Sequence, residues 1–474
     1  MAVEIKLRDY QQSMVDGVSD SFKRRHRSVL LQAPTGAGKT AMAAWMIKQT
    51  LSRGADVWFI CHRVELIAGS SNTFNKYGMP HGYISSGLPM DTSNNLMICG
   101  IDTLKNRLAV LRAPKLAIFD EAHHCGAAGW AMVLQWLLKA GSYVIGLSAT
   151  PERLDGVGLD EHFEVMVEGP QPGWLMDNGF LSPYRMFCPN RPEISGKFTD
   201  RKAAAAMKKM PKLVGDMIDQ YRKAADGLKF VGFAVNVASS IEYAKQFTEA
   251  GIPCAHLDGG TPKDERARII KAYATGELVG FFNVALATEG FDLAAIAQTD
   301  VTIDCLIDAQ PTESFARQKQ KWGRVLRPGP GKVAIINDHA GNDYRHGYPD
   351  DEEHWSLQGD RDGKTSAVDA SKPPPVHCAV CFNSIKRPLP ILCPHCKTAL
   401  PDGADNVLEA KPGQMVEVDA QAKSRERQRR KQEEIDCKTL QDFVALAVKR
   451  GIKSPQVWAS DQFSRRRMRY AMIG

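Results

Sequence analysis

The chain has 474 residues, 43% of them hydrophobic and 24% charged, with a formal net charge of +7. At roughly 150 residues per domain that length predicts about three units, and the absence of an apolar run near the ~20 residues needed to cross a bilayer argues against a membrane protein. The charge is uneven, with 14 Lys and Arg against 6 Asp and Glu between Ala420 and Gly474 and a near-neutral remainder; such a tail predicts an anionic partner, nucleic acid being the natural one.

The first residues, Met1 to Gln12, have neither the apolar core of a secretory signal nor the character of a transit sequence, which predicts a cytoplasmic protein. Short apolar runs rich in β-branched residues follow, from Val29 to Ala33, Val57 to Cys61, Leu116 to Asp120 and again at Tyr143, with helical stretches between them. That alternation predicts β/α units around a mostly parallel sheet. It repeats from Phe230 to Phe233, Phe281 to Val284, Val301 to Ile303 and Val333 to Ile336, so two α/β lobes are expected in tandem. Glu168 to Gly173 has the Gly and Pro content of a connector, and the polar stretch ending in Lys372-Pro373-Pro374-Pro375 reads as a linker. The expected organisation is a first lobe over 1–168, a connector over 169–180, a second lobe over 181–345 and a linker over 346–376. A four-cysteine module over 377–400, a polar and basic linker over 401–436 and a basic helical tail over 437–474 complete it.

The strongest local signal is Ala33-Pro34-Thr35-Gly36-Ala37-Gly38-Lys39-Thr40, set between a buried strand and a helical run. Small residues there let successive backbone N–H groups cradle phosphate oxygens at a helix N-terminus. Lys39 then reaches the terminal phosphates and the Thr40 hydroxyl serves Mg²⁺, which predicts a magnesium nucleoside triphosphate. Asp120-Glu121-Ala122-His123 ends a second buried strand, where carboxylates face the ligand crevice of a parallel sheet. Asp120 is expected to hold the Mg²⁺ and Glu121 to orient the attacking water.

With these residues placed, the order of motifs from Leu7 to Pro328 resembles the superfamily 2 helicases of the DEAH-box type, which implies that the two lobes are RecA-like and that the nucleotide is ATP. By that resemblance Leu7-Arg8-Asp9-Tyr10-Gln11 is an adenine-reading Q motif, with Gln11 as the reader and Arg8 beside the nucleotide. Cys61 to Leu66 resembles motif Ia, whose Arg63 would touch the nucleic-acid backbone, and Gly100 to Leu104, with Thr103, resembles motif Ib. Ser148-Ala149-Thr150 matches motif III and Phe233 to Asn236 resembles motif IV. Ala287 to Asp292 matches motif V, implying Thr288 at a nucleic-acid phosphate and Gly290 and Asp292 near the nucleotide. Gln320-Lys321-Trp322-Gly323-Arg324-Val325-Leu326-Arg327 matches motif VI, so Gln320 joins the catalytic set and Arg324 and Arg327 are implied arginine fingers. Lys321 departs from the Arg that many relatives carry there, and Ala33 replaces the first Gly of the loop. A narrower resemblance, to bacterial RadD-like DNA repair helicases and related phage helicases, rests on Asn337 to Asn342, Arg345-His346-Gly347, the cysteine module and Lys449 to Lys453. It implies DNA in preference to RNA, a role in repair or recombination, and contact with single-strand-binding protein; a monomer is expected.

Cys378, Cys381, Cys393 and Cys396 form two CxxC pairs separated by eleven residues. Four thiolates so spaced suit a structural Zn²⁺, with an iron–sulfur cluster or redox-active thiols as the alternatives. His339, His346 and His354 lie among Asp338, Asp343, Asp350 and Asp351, which invites a second metal or nuclease reading, but no helix face collects them and a polar loop accounts for them. The tail runs Arg425 to Lys431 and Arg465 to Arg467 suit phosphate contact or a solvated helix face. The expected function is ATP-driven movement on, or remodelling of, DNA in repair, recombination or replication. An RNA helicase and a recruitment module that uses the ATPase as a switch stand as alternatives; a restriction-system motor would want a nuclease constellation that the sequence does not show.

Overall fold

Runs such as Ser28–Gln32 and Val57–Cys61 carry no polar alternation, and strands of that kind need cover on both faces. The computed structural model describes residues 3–62, 64–151, 157–189, 211–284, 301–312, 314–353 and 355–358, isolated positions between 285 and 300, the short stretches 376–377, 384–385 and 415–417, and parts of 429–463. Seven strands build the first sheet: β1 Ser28–Gln32, β2 Val57–Cys61, β3 Gly82–Ile84, β4 Leu96–Gly100, β5 Leu116–Phe119, β6 Tyr143–Ser148 and β7 Val165–Glu168, in the order β3-β4-β2-β5-β6-β1-β7. All its neighbours are parallel. Helices α1 Asp9–Lys23, α2 Lys39–Leu51 and α3 Val64–Lys76 belong to this lobe. Leu30, Ile60, Phe119, Leu134 and Phe163 pack together in its core. Because Gln32 lies opposite Ser148 in register, the loops that follow β1 and β6 emerge side by side.

The second sheet repeats the plan with β8 Tyr184–Pro189, β9 Phe230–Phe233, β10 Cys254–Leu257, β11 Gly280–Asn283, β12 Cys305–Asp308 and β13 Ala334–Asp338, ordered β10-β11-β9-β12-β13-β8 and parallel throughout. A strand from the far end of the chain, Met415–Glu417, closes its edge antiparallel to β8. Phe230, Phe247 and Phe282 interlock on one face, with Phe247 and Phe282 edge to face at 5.1 Å. Each such ring contributes about 2 kcal/mol by burial. The run from Val301 to Ile303, predicted as strand, enters the sheet only from Cys305. There Cys305, Leu306 and Ile307 are buried between β9 and β13, and those two neighbours set the register.

The chain divides into two compact units, Met1–His377 with Asp405–Glu417, and Cys378–Ala404 with Val418–Gly474. Both lobes lie in the first unit. In the second, helix Leu440–Lys449 starts on a reciprocal cap: the Thr439 hydroxyl accepts from the Asp442 N–H at 3.2 Å, and the Asp442 carboxylate accepts from the Thr439 N–H at 2.7 Å. Phe443, Leu446, Cys437 and Ala459 form a small core beside it. Among the described residues no helix is long and apolar enough to cross a membrane.

The residues after β13 are more buried than a polar loop would be. His339 and His346 are buried, and burial pushes each imidazole down from 6.5 to about 4. In the unfolded chain both titrate near 6.5, so between about pH 6.5 and 4 the unfolded state binds more protons and stability is lost as pH falls. The expected outcome is full stability from these groups above pH 6.5 and a loss on the order of 3 kcal/mol each by pH 4. Thermal melts of His339→Gln and His346→Gln against wild type at pH 7.5 and 4.5 check it: the gap between wild type and variant should shrink or reverse in acid.

Candidate nucleotide and motor site

The loop after β1 turns on two glycines with positive φ, Gly36 at 90° and Gly38 at 85°, values an L side chain resists. The peptide N–H groups between them and the N-terminus of α2 make an anion cradle. Lys39 opens α2, and its Nζ donates to the Ala33 carbonyl at 3.0 Å. Burial lowers the Lys39 pKa, while the Glu121 and Asp120 carboxylates push it back up. Thr40 is exposed at the next position, Pro34 and Ala37 are buried, and Thr35 is half-buried.

Asp120 follows β5. Burial, and then the neighbouring Glu121 charge, raise its carboxyl from 3.8 to about 7, against the pull of Lys39. Two carboxylates facing one lysine leave room for a divalent cation, and the loop, Lys39 and Asp120 together fit a magnesium nucleotide. Glu121 sits at φ 52°, ψ 54°, a strained backbone for a non-glycine residue, and its Oε2 lies 3.4 Å from His123 Nδ1. Ser148 Oγ lies 3.5 Å from the same nitrogen, so the ends of β5 and β6 meet at His123.

Gln11 does not face open solvent. Its Nε2 donates to the Ala37 carbonyl at 2.9 Å, its Oε1 accepts from the Arg8 N–H at 3.0 Å, and a side chain at Gly38 would collide with it. Tyr10 also donates to the Ala37 carbonyl, at 2.8 Å. Around them the connector supplies rings that the sequence reading passed over. Phe180 lies 5.0 Å from Tyr10 and 4.7 Å beneath the Arg8 guanidinium, and Trp174 lies 5.9 Å from Tyr10. The aromatic spacing in Trp174 to Phe180 was the available signal.

From the second lobe, helix Phe315–Val325 starts on Ser314, whose hydroxyl accepts from the Arg317 N–H at 3.3 Å, and carries Gln320, buried, and Arg324, half-buried, with exposed Arg327 just beyond it. Gly323 rests on the phosphate loop: a Cβ there would collide with the Thr35 side chain. The structure thus brings Arg8, Gln11, the loop from Pro34 to Thr40, Asp120, Glu121 and the helix bearing Arg324 to one cleft. Thr103, half-buried, stands apart on the short helix Ile101–Leu104. Arg63, Thr288, Gly290, Asp292, Cys378, Cys381, Cys393 and Cys396 lie outside the described residues.

The family model for the res subunit of type III restriction enzymes matches residues 4–153, and that for the helicase conserved C-terminal domain matches residues 209–329. A 51.5 kDa protein of a Lactococcus phage (isolate 7-9) is 33% identical over 332 residues, which are 69% of this chain and 68% of that protein. The chain belongs to the superfamily 2 helicases. As a member it is an ATP hydrolase whose activity depends on nucleic acid. More distant relatives are irc3 of Schizosaccharomyces pombe, named as a mitochondrial ATP-dependent helicase, at 27% identity over 69% of this chain, and the DNA 3'-5' translocase XPB2 of Sulfurisphaera tokodaii at 30% over 48%. The chain spans only 56% and 44% of those two proteins.

The Gly323 contact brings the motif VI helix against the phosphate loop. Gly323→Ala is expected to lower ATP turnover by at least about tenfold, with the melting temperature nearly unchanged, because the methyl group holds the helix off the loop, and overpacking of one such contact costs about 1–3 kcal/mol. Steady-state hydrolysis beside a thermal melt checks it.

Among the described residues, Cys188, Asp338 and Asp343 bring ligand atoms within 4.8 Å of one another. The Asp338 carboxylate already accepts the Ala340 and Asp343 N–H groups, at 3.1 and 2.8 Å, and burial with the nearby Asp343 and Asp308 charges holds its pKa well above the usual range.

Proposed function

We propose that the chain is an ATP-dependent DNA translocase or helicase that remodels DNA in repair, recombination or replication. The observation that carries the reading is the seat of Gly323 on Thr35, which places the Arg324 helix of one lobe over the phosphate loop of the other. Hydrolysis then needs both lobes, and any ligand that draws them together controls it. In this proposal Lys39 and the loop from Pro34 to Thr40 bind the phosphates, Thr40 and Asp120 hold Mg²⁺, and Glu121 aligns the attacking water. Arg324, Arg327 and Gln320 meet the γ-phosphate side, with Gly290 and Asp292 near the nucleotide, Gln11 and Arg8 at the base, and Arg63, Thr103 and Thr288 along the nucleic-acid backbone. Mg²⁺, when bound, neutralises charge on the transferred phosphoryl group.

DNA is preferred over RNA because one relative is named a DNA translocase, while the chain's basic tail suits the phosphates of either. The DEAH-type and RadD-like assignments, contact with single-strand-binding protein, a monomeric cytoplasmic state, and Zn²⁺ held by Cys378, Cys381, Cys393 and Cys396 belong to the same proposal. Asp120 to His123 supports the DEAH type, the motifs after β13 support the RadD-like assignment, and the cysteine spacing supports Zn²⁺. The test is ATP turnover by the full chain with single-stranded DNA, duplex, forked DNA or RNA as stimulator across a salt series, where stimulation by DNA that weakens steeply with salt is expected. Equal or greater stimulation by RNA replaces DNA in the proposal, and turnover indifferent to every nucleic acid overturns it.

A further inference from the structure

The stretch after His346 was expected to be a linker, yet Tyr348, Asp350, Glu353 and Leu357 are all buried. Each contact along it leads to a different part of the first unit. His346 Nε2 lies 2.7 Å from the Thr312 carbonyl, and the Tyr184 hydroxyl donates to Asp350, so the stretch begins anchored on the second lobe. Glu353 then does two things. Its carboxylate pairs with Lys319, one turn before Gly323 on the motif VI helix, with both side chains at most 10% exposed. Its backbone N–H donates to Gln171 Oε1 and its carbonyl accepts from Gln171 Nε2, both at 2.8 Å, which fixes it to the connector. Trp355 donates to the same carboxylate at 2.8 Å, and its ring lies tilted 5.9 Å from that of Phe315, the first residue of that helix. Four residues on, Leu357 joins the apolar core of the first lobe, and its carbonyl accepts the Leu159 and Asp160 N–H groups at 2.6 and 3.0 Å.

We infer that residues 348–353 with 355–357 act as a strap that holds the two lobes in their closed arrangement, with Glu353 a positioning residue for the motif VI helix and hence for Arg324. The inference rests on the ATPase reading above. Four residues extend over at most about 14 Å, so while Glu353 grips Lys319 and Leu357 sits in the first lobe, the lobes cannot part further. All of these contacts coexist with Gly323 seated on Thr35, which ties the strap to the closed state. A tether that is satisfied in the closed state raises its population before any nucleic acid arrives. Nucleic acid that spans both lobes supplies the same bias from outside. Loosening the strap therefore costs most when nucleic acid is absent.

The experiment uses the full chain and two variants acting at opposite ends of the strap, Glu353→Gln and Leu357→Ala, each checked by thermal melt. ATP turnover is measured with and without saturating nucleic acid, and lobe proximity is read by fluorescence transfer between unnatural amino acids at exposed Arg53 and Glu249 in the presence of ATP and Mg²⁺. Expected for both variants are a roughly tenfold drop in unstimulated kcat, about a twofold drop in stimulated kcat, hence about a fivefold rise in the stimulation ratio, and weaker transfer than in wild type. A purely structural lesion scales both rates by one factor and leaves transfer in the folded protein unchanged; either result overturns the strap. A wild type that nucleic acid does not stimulate overturns the ATPase reading instead, and the transfer signal alone then decides the strap: unchanged transfer refutes it and weaker transfer upholds it.

Discussion

Arg324→Ala is expected to lower nucleic-acid-stimulated ATP turnover by about 10³-fold while the Kd for ATP stays within about threefold of wild type. The reason is the division of labour between lobes. In the proposed mechanism binding is carried by the first: the glycine-turned loop, Lys39 and the Gln11 amide beneath it, all on elements that pack on one sheet. The Arg324 helix comes from the second, with Arg324 one residue beyond the Gly323 contact, and in the proposed mechanism its guanidinium acts only where charge builds on the γ-phosphate. Lys39→Ala provides the contrast, since it should weaken binding and turnover together. Single-turnover hydrolysis beside nucleotide titration separates the two. An Arg324→Ala protein that keeps more than a tenth of wild-type turnover removes Arg324 from the chemistry, and one that loses ATP affinity in step with turnover makes it a binding residue.

What was legible in the sequence is what is local. The phosphate loop is read from strand, small residues and Lys39 within a dozen positions, and Asp120-Glu121 from the apolar strand that precedes it. The tandem lobes follow from a repeated period. The strap was illegible because its partners are remote: Glu353 meets Gln171 across 182 positions and Asp350 meets Tyr184 across 166, so only its polar composition showed, and that reads as linker. The connector rings failed for the same reason, since Trp174 and Phe180 matter only through Tyr10 and Arg8 at the other end of the lobe. His339 and His346 reversed the usual inference from polarity, because a buried network can absorb imidazoles that a composition count assigns to water.

Lys321 shows the limit of motif reading most sharply, and Lys321→Met is expected to cost about 3–5 kcal/mol of stability, a fall in melting temperature of about 10 °C. In the sequence this residue is a departure, Lys where many relatives have Arg inside a motif that serves the nucleotide. In the structure it is fully buried and points away from chemistry: its Nζ donates to Asp308 Oδ1 and to the Gln310 carbonyl, both at 2.8 Å. The Asp308 carboxylate takes Gln318 Nε2 at 2.9 Å and Asn342 Nδ2 at 3.0 Å as well, joining β12, the motif VI helix and the turn after β13. Removing the ammonium leaves a buried carboxylate still facing two amides but without its counter-charge, which is the costly way to break such a pair. Lys321→Arg should also destabilise, by about 1–3 kcal/mol, since a planar guanidinium needs volume that a fully enclosed site lacks. Urea unfolding of both variants checks the order. If Lys321→Arg matches wild type in stability, the site has room for the commoner residue, and packing is not why lysine stands there.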